Sequence, residues 1–108
     1  DLHFFEHLTF AQGEYLFEVW HRILKPGGRV EMMLPNMLLH VRQWVTGDPR
    51  AAKNIYGGQR GDFNDVWDVH KSGYDAYSME DLVKEKNFVN YKSFNGDKSK
   101  HLHVEFYK

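Results

Sequence analysis

The chain has 108 residues and a net charge of −1; 42% of its residues are hydrophobic, 27% are charged and none is cysteine. This length and composition favour one globular domain and argue against disorder, while the lack of cysteine excludes disulfide frameworks and thiolate metal sites. The sequence has no basic block, no apolar run long enough to cross a bilayer and no secretory leader, so we expect no nucleic-acid partner, no membrane partner and a cytoplasmic location.

The first predicted element is a helix that begins after Thr9. Thr9 and Gln12 have the spacing of a capping box, in which each side chain bonds the backbone amide of the other. Apolar residues follow at helical spacing: Leu16, Phe17, Trp20, Ile23 and Leu24. KPGG at residues 25–28 ends the helix, because proline cannot continue it and glycine accepts a left-handed backbone. Residues 29–34 predict a strand with apolar side chains on both faces, so we expect both faces to be covered.

A second predicted helix follows Pro35 and Asn36. Its apolar stripe consists of Met37, Leu38, Val41, Trp44 and Val45, and Gly47 ends it. Asp48 before Pro49 predicts the N-cap and first residue of a short helix that reaches about Ile55. Residues 57–77 have no clear period, and a loop of this length is usually functional or disordered.

The end of the sequence predicts one helix and a β-hairpin. Ser78 has the pattern of an N-cap, Leu82 and Val83 are the predicted buried positions, and Asn87 can supply the left-handed residue after the helix. Residues 89–94 and 101–107 read as strands around a polar turn at 95–100. Helices alternating with strands indicate an α/β fold with an antiparallel hairpin at its end.

Three motifs occur in a familiar order: EHL at residues 6–8, LKPGG at 24–28 and LPN at 34–36. This order resembles the region after the fourth strand of class I S-adenosylmethionine-dependent methyltransferases. TGDP at 46–49, YGGQ at 56–59 and HKSGY at 70–74 resemble a bacterial subgroup of these enzymes. The resemblance implies the C-terminal part of a Rossmann-like sheet, in which strand 29–34 lies antiparallel beside strand 101–107 and strand 89–94 lies outside.

The resemblance also implies that the cofactor-binding half is absent. In these enzymes a glycine-rich turn after the first strand holds S-adenosylmethionine, whereas GGQRG at residues 57–61 follows a helix-like segment. We therefore expect residues 1–108 to be a single partial methyltransferase domain that is inactive alone and binds the cofactor poorly. The intact enzyme would methylate a small-molecule or glycan-like acceptor.

Two groups of site residues follow from the resemblance. The methionine part of the cofactor would lie beside Asp1, Leu2, His3 and Glu6. A structural role for Glu6 and His7, which would then only position the following helix, stays open. The acceptor would be bound by Tyr56, Gln59, Lys71 and Tyr74. His70 is the candidate catalytic base, because imidazole titrates near neutral pH, although an ordinary loop histidine would fit the same pattern.

Other functions stay open at this point. A non-catalytic binding module derived from the fold is one, and a small metal-binding or ligand-binding domain is another. His3 with His7, and His101 with His103, have spacings that can ligate zinc, but neither pair forms His-Glu-x-x-His and surface histidines explain both, so we predict no metal site. We expect a homodimer, because the edge of strand 29–34 and the helix stripes would otherwise face water.

Overall fold

The computed structural model describes residues 4–59, 69–94 and 100–108. A 3₁₀ turn (Phe5–His7) precedes the regular elements, which are α1 (Phe10–Ile23), β1 (Arg29–Pro35), α2 (Met37–Val45), α3 (Ala51–Tyr56), α4 (Ala76–Glu85), β2 (Val89–Phe94) and β3 (His101–Tyr107). The three strands form one sheet in the order β1-β3-β2. The predicted α/β class with an antiparallel terminal hairpin and flanking helices is therefore confirmed.

Both strand pairings agree with the predicted order. β1 runs antiparallel to β3, with Arg29 opposite Tyr107 and Leu34 opposite Leu102. β2 pairs with the other edge of β3, also antiparallel, and its register shifts between Val89 and Lys92. The turn predicted at 95–100 lies mostly outside the described residues. β3 is thus the central strand, and α2 follows directly from the end of β1.

The capping box at the start of α1 is confirmed. The Gln12 amide donates to the Thr9 hydroxyl oxygen at 3.1 Å, and the Thr9 amide donates to the Gln12 side-chain oxygen at 2.9 Å. The apolar side of this helix packs against the sheet, where the Phe17 ring stacks on the Phe106 ring with centroids 5.1 Å apart. Because Phe17 is completely buried, the contact anchors α1 to the central strand.

One face of the sheet holds the core. α1 and α4 cover it, and its buried strand residues are Met32, Leu34, Leu102, Val104 and Phe106. The opposite face differs from the expectation that both faces of β1 are covered: Met33 is only half-buried and Glu31 is exposed. There Arg29 lies 3.5 Å from Glu31 and 4.0 Å from Glu105, two carboxylates that face each other across the strand pair. The guanidinium reduces their repulsion and keeps this face polar.

The third helix starts later than predicted. α3 begins at Ala51, and Asp48 and Pro49 belong to the turn before it. The Asp48 carboxylate accepts from the Arg50 amide at 2.9 Å and from the Arg50 guanidinium at 3.2 and 3.1 Å. These bonds close a local Asx-type turn, which takes the carboxylate away from the capping position.

The N-cap predicted for α4 is also displaced. The helix begins at Ala76 and its N-cap is Asp75, not Ser78. The Asp75 carboxylate accepts from the Ser78 amide at 2.8 Å, and the Ser78 hydroxyl accepts from the Asp75 amide at 3.0 Å. The predicted burial of Leu82 and Val83 is confirmed. Asn87 has φ 67°, as the prediction of a left-handed residue after this helix requires.

Among the described helices, none combines the length and apolar character needed to cross a bilayer.

Candidate functional site

A polar cleft of about 580 Å³ lies where β1 ends and α2 and α3 begin. Several separate segments contribute to its walls: the 3₁₀ turn, the end of β1, α2, α3, the segment at His70 and the start of β3. Its charged and titratable lining residues include Glu6, His40, Lys53, His70, Lys100 and His101. A concave site with converging polar groups is a natural position for a ligand.

Glu6 is held in the cleft by the core behind it. Its neighbour Phe5 is 1% exposed and packs against the rings of Phe17 and Tyr74, with centroids 5.6 and 5.5 Å apart. The Glu6 carbonyl accepts from the amides of Lys71 and Ser72 at 2.8 and 3.2 Å. The packing of the Phe5 ring therefore fixes the position of the 3₁₀ turn. This turn then places the Glu6 carboxylate in the cleft wall, where it is almost completely buried.

Two histidines face the Glu6 carboxylate. Nδ1 of His7 lies 3.0 Å from the Val69 carbonyl oxygen, and Nδ1 of His70 lies 3.2 Å from the Ile55 carbonyl oxygen. Because a carbonyl only accepts, each Nδ1 carries the hydrogen, and in the neutral ring Nε2 keeps its lone pair. Those Nε2 atoms lie 3.9 Å and 4.0 Å from Oε2 of Glu6. Both imidazoles thus direct Nε2 at one carboxylate oxygen.

A third histidine, His40, lies deeper in the wall and is 3% exposed. Burial lowers its pKa, and the hydrogen bond from Nδ1 to the Gln43 side-chain oxygen at 3.3 Å opposes that shift. Electrostatic interactions with His70 and Lys100 lower the pKa further. His40 is therefore neutral near pH 7 and contributes a polar but uncharged surface. Lys53 and Lys100 add positive charge beside it.

The structure brings two of the predicted site residues together. Glu6 and His70, which the sequence analysis assigned to cofactor and to catalysis, meet in the same cleft. Their individual roles stay predictions. Asp1, Leu2 and His3, the other predicted cofactor-binding residues, lie outside the described residues.

The four predicted acceptor-binding residues do not line the described part of the cleft. Tyr56 is 56% exposed and packs edge-on against Trp44, while the Gln59 amide group donates to the Tyr56 carbonyl at 3.1 Å. Lys71 is exposed beside the cleft. Tyr74 lies in the core instead, between the rings of Phe5 and Phe10, and burial raises its pKa to about 12. Its apolar contacts explain this position.

Sequence reasoning missed His40, Lys53, Lys100 and His101 as lining residues. A signal for His40 exists in hindsight: it follows Asn36 by one helical turn, so both side chains lie on the face of α2 that meets the end of β1. Both residues are buried. Lys100 and His101 carried no comparable signal, because the predicted pairing of β3 with β1 places them in the cleft only in the observed register, with His101 opposite Pro35.

No protein-family profile matches the sequence, and no curated protein sequence matches it. Among solved structures, the chain is similar to a protein from Nostoc punctiforme PCC 73102 named as a "putative O-methyltransferase", with a TM-score of 0.60 and 14% sequence identity. The match covers 99% of this chain and 30% of that chain. The likeness shows a methyltransferase-like α/β fold, and the chain spans less than a third of the length of that protein.

Proposed function

We propose that this chain forms the acceptor side of an S-adenosylmethionine-dependent methyltransferase whose acceptor is a hydroxyl group of a small molecule or glycan. One observation carries the proposal: in a polar cleft of a methyltransferase-like fold, His70 directs its Nε2 at the buried carboxylate of Glu6. The order of the EHL, LKPGG and LPN motifs supports the same class. The name of the Nostoc protein supports oxygen as the methylated atom.

The chemistry of hydroxyl methylation explains why a histidine is useful here. A hydroxyl group is protonated in its resting form, so its oxygen becomes a good nucleophile only as the proton leaves. His70 can take that proton on Nε2, because Nδ1 is already occupied by the bond to the Ile55 carbonyl. The Glu6 carboxylate, 4.0 Å away, then stabilises the imidazolium that forms. The cleft walls would hold the acceptor, and S-adenosylmethionine, when bound, would supply the methyl group.

The described residues do not fit the nucleotide part of that cofactor. None of the three described strands leads into a glycine-rich turn, and β1 continues through Asn36 into α2. We therefore expect calorimetry on residues 1–108 to show no binding of S-adenosylmethionine or its demethylated product at high micromolar concentration. Micromolar affinity would contradict the view that another part of the enzyme holds the nucleotide.

Methyl transfer itself tests the proposal. The full-length gene product that contains this chain should transfer labelled methyl groups from S-adenosylmethionine to members of a panel of hydroxylated small molecules and glycans. His70→Asn should lower kcat by roughly 10²–10⁴-fold, the usual contribution of a general base.

The matched control is His103→Asn. His103 lies on β3 outside the cleft lining, where its ring packs against Phe94 with centroids 5.1 Å apart. This variant should keep the wild-type rate. Equal rates for His70→Asn and the wild type would refute the catalytic role of His70, and no labelled product from the wild-type protein with any acceptor would refute the function.

A further inference from the structure

We propose that Glu6, His7 and His70 form a binding site for one divalent transition-metal ion, with Zn²⁺ as the simplest occupant. Each residue offers one ligand atom, and these three atoms lie within 4.8 Å of one another. Two imidazole nitrogens and one carboxylate oxygen form the donor set found in catalytic zinc sites and in non-haem iron sites. The proposal concerns metal binding alone and does not depend on methyl transfer.

The hydrogen bonds behind the two histidines support the assignment. In metal sites, a ligating histidine usually donates its other ring N–H to a carbonyl or carboxylate, which fixes the tautomer and the ring orientation. His7 and His70 both meet this condition, through the carbonyls of Val69 and Ile55. Because both acceptors are backbone atoms, the orientation of each ring is set by the fold.

Direct contacts between the imidazoles and Glu6 account less well for the geometry. The separations of 3.9 and 4.0 Å between the Nε2 atoms and Oε2 are longer than hydrogen bonds. Metal–ligand bonds of about 2.0–2.2 Å in a tetrahedral site place ligand atoms roughly 3.3–3.6 Å apart. A contraction of about half an ångström would therefore bring each Nε2 to that spacing from Oε2 of Glu6.

Burial and access also favour a cation at this position. The side chain of Glu6 is 4% exposed, and a buried carboxylate gains stability from a positive charge beside it. The cleft next to Glu6 and His70 leaves room for water or a ligand at the remaining coordination positions. With an ion bound, Nε2 of His70 could no longer accept a proton, and the ion would take over the role of the base by lowering the pKa of a bound hydroxyl group.

Calorimetry with Zn²⁺ on the chelator-treated chain tests the site. We expect one ion per chain with a dissociation constant in the micromolar range or tighter, and visible absorption bands when Co²⁺ replaces Zn²⁺. His7→Gln should weaken binding at least tenfold. Since His7 is partly exposed, this variant should remain folded, and its thermal unfolding would confirm that.

The control variant is His103→Gln, which removes a histidine from the only other pair with zinc-compatible spacing in the described sequence, His101 with His103. It should bind Zn²⁺ like the wild type. The proposal is overturned if the wild type binds no Zn²⁺ at high micromolar concentration, or if His103→Gln weakens binding while His7→Gln does not. Because no methyl acceptor is present, either failure is separate from a failure of the proposed methyltransferase function.

Discussion

The helix-covered face of the sheet and the cleft at the end of β1 are held together by different interactions. The face joins two helices and three strands through apolar contacts, such as Phe17 on Phe106. The cleft joins single polar side chains from separate segments, and backbone carbonyls orient His70 and the adjacent His7. Substitutions on the face should therefore mainly change the free energy of unfolding, whereas substitutions in the cleft should mainly change its polar contacts.

The largest expected effect is on the helix-covered face. Phe17→Ala should lower the free energy of unfolding by about 3–5 kcal/mol, because it removes a completely buried ring. The matched variant Phe10→Ala, on the same helix but 52% exposed, should cost about 1 kcal/mol or less. Urea denaturation of both variants measures the difference. Equal losses would show that this face is not the main source of stability.

A smaller effect is expected where the face meets the cleft. An alanine side chain at position 13 would place its Cβ 2.7 Å from the outermost carbon of the Phe5 ring. Gly→Ala normally stabilises a helix by about 1 kcal/mol, but here we expect Gly13→Ala to destabilise the protein by about 1–3 kcal/mol. Thermal denaturation measures this change.

Relief of the clash provides the control for this variant. On a Phe5→Leu background, Gly13→Ala should be less destabilising than in the wild type, since the smaller side chain leaves space for the methyl group. A Gly13→Ala variant that is as stable as the wild type would mean that the 3₁₀ turn can shift without cost, and that the face and the cleft are uncoupled.

A pH effect of the cleft should be smaller still. Because the pKa of folded His40 lies below the unfolded value of 6.5, the unfolded chain binds more protons just below that pH. The contribution of neutral His40 to stability is therefore present above pH 6.5 and is lost as the pH falls toward the lowered pKa. Melting temperatures between pH 7.5 and 5.5 should decline less steeply for His40→Gln than for the wild type. Identical slopes for the two proteins would contradict this origin.

The smallest effect on stability is expected at the surface of α2. Val41, Trp44 and Val45 are 44%, 49% and 80% exposed, so this stripe is available for the predicted homodimer. Val45→Glu should change the free energy of unfolding by no more than about 0.5 kcal/mol, yet convert a dimer to a monomer in light scattering. A variant that stays dimeric would favour the edge of β1 as the interface, and a monomeric wild type at high micromolar concentration would refute the dimer.

The sequence predicted the regular part of the fold well. Periodicity located α1, β1, α2 and the hairpin, and the motif order supplied the strand order that pairs β1 with β3. The predicted start of α3 was wrong because Asp48 bonds Arg50 in a turn, and the predicted start of α4 was wrong because two residues compete as its cap. Asp75 and Ser78 both suit an N-cap, and the reciprocal bonds between them make Asp75 the cap and Ser78 the third helical residue.

The cleft was harder to predict, because it depends on contacts between distant segments. His70 was found from its chemistry, but the approach of Glu6 and His7 to it depends on how the 3₁₀ turn packs on α1. His40 is part of a helix that otherwise presents an apolar stripe, and its burial follows from the way α2 meets the end of β1. The spacing of residues along the chain carries no information about these contacts between distant segments.

Phe5 and Glu6 are consecutive residues, yet the first belongs to the core and the second to the cleft. The 3₁₀ turn cannot swing outward without withdrawing Phe5 from the rings of Phe17 and Trp20. The amides of Lys71 and Ser72, which donate to the Glu6 carbonyl, are bound to that same turn. An outward movement of the turn would therefore break both hydrogen bonds and disturb the core at once, so the cleft floor and the packing of α1 are structurally coupled.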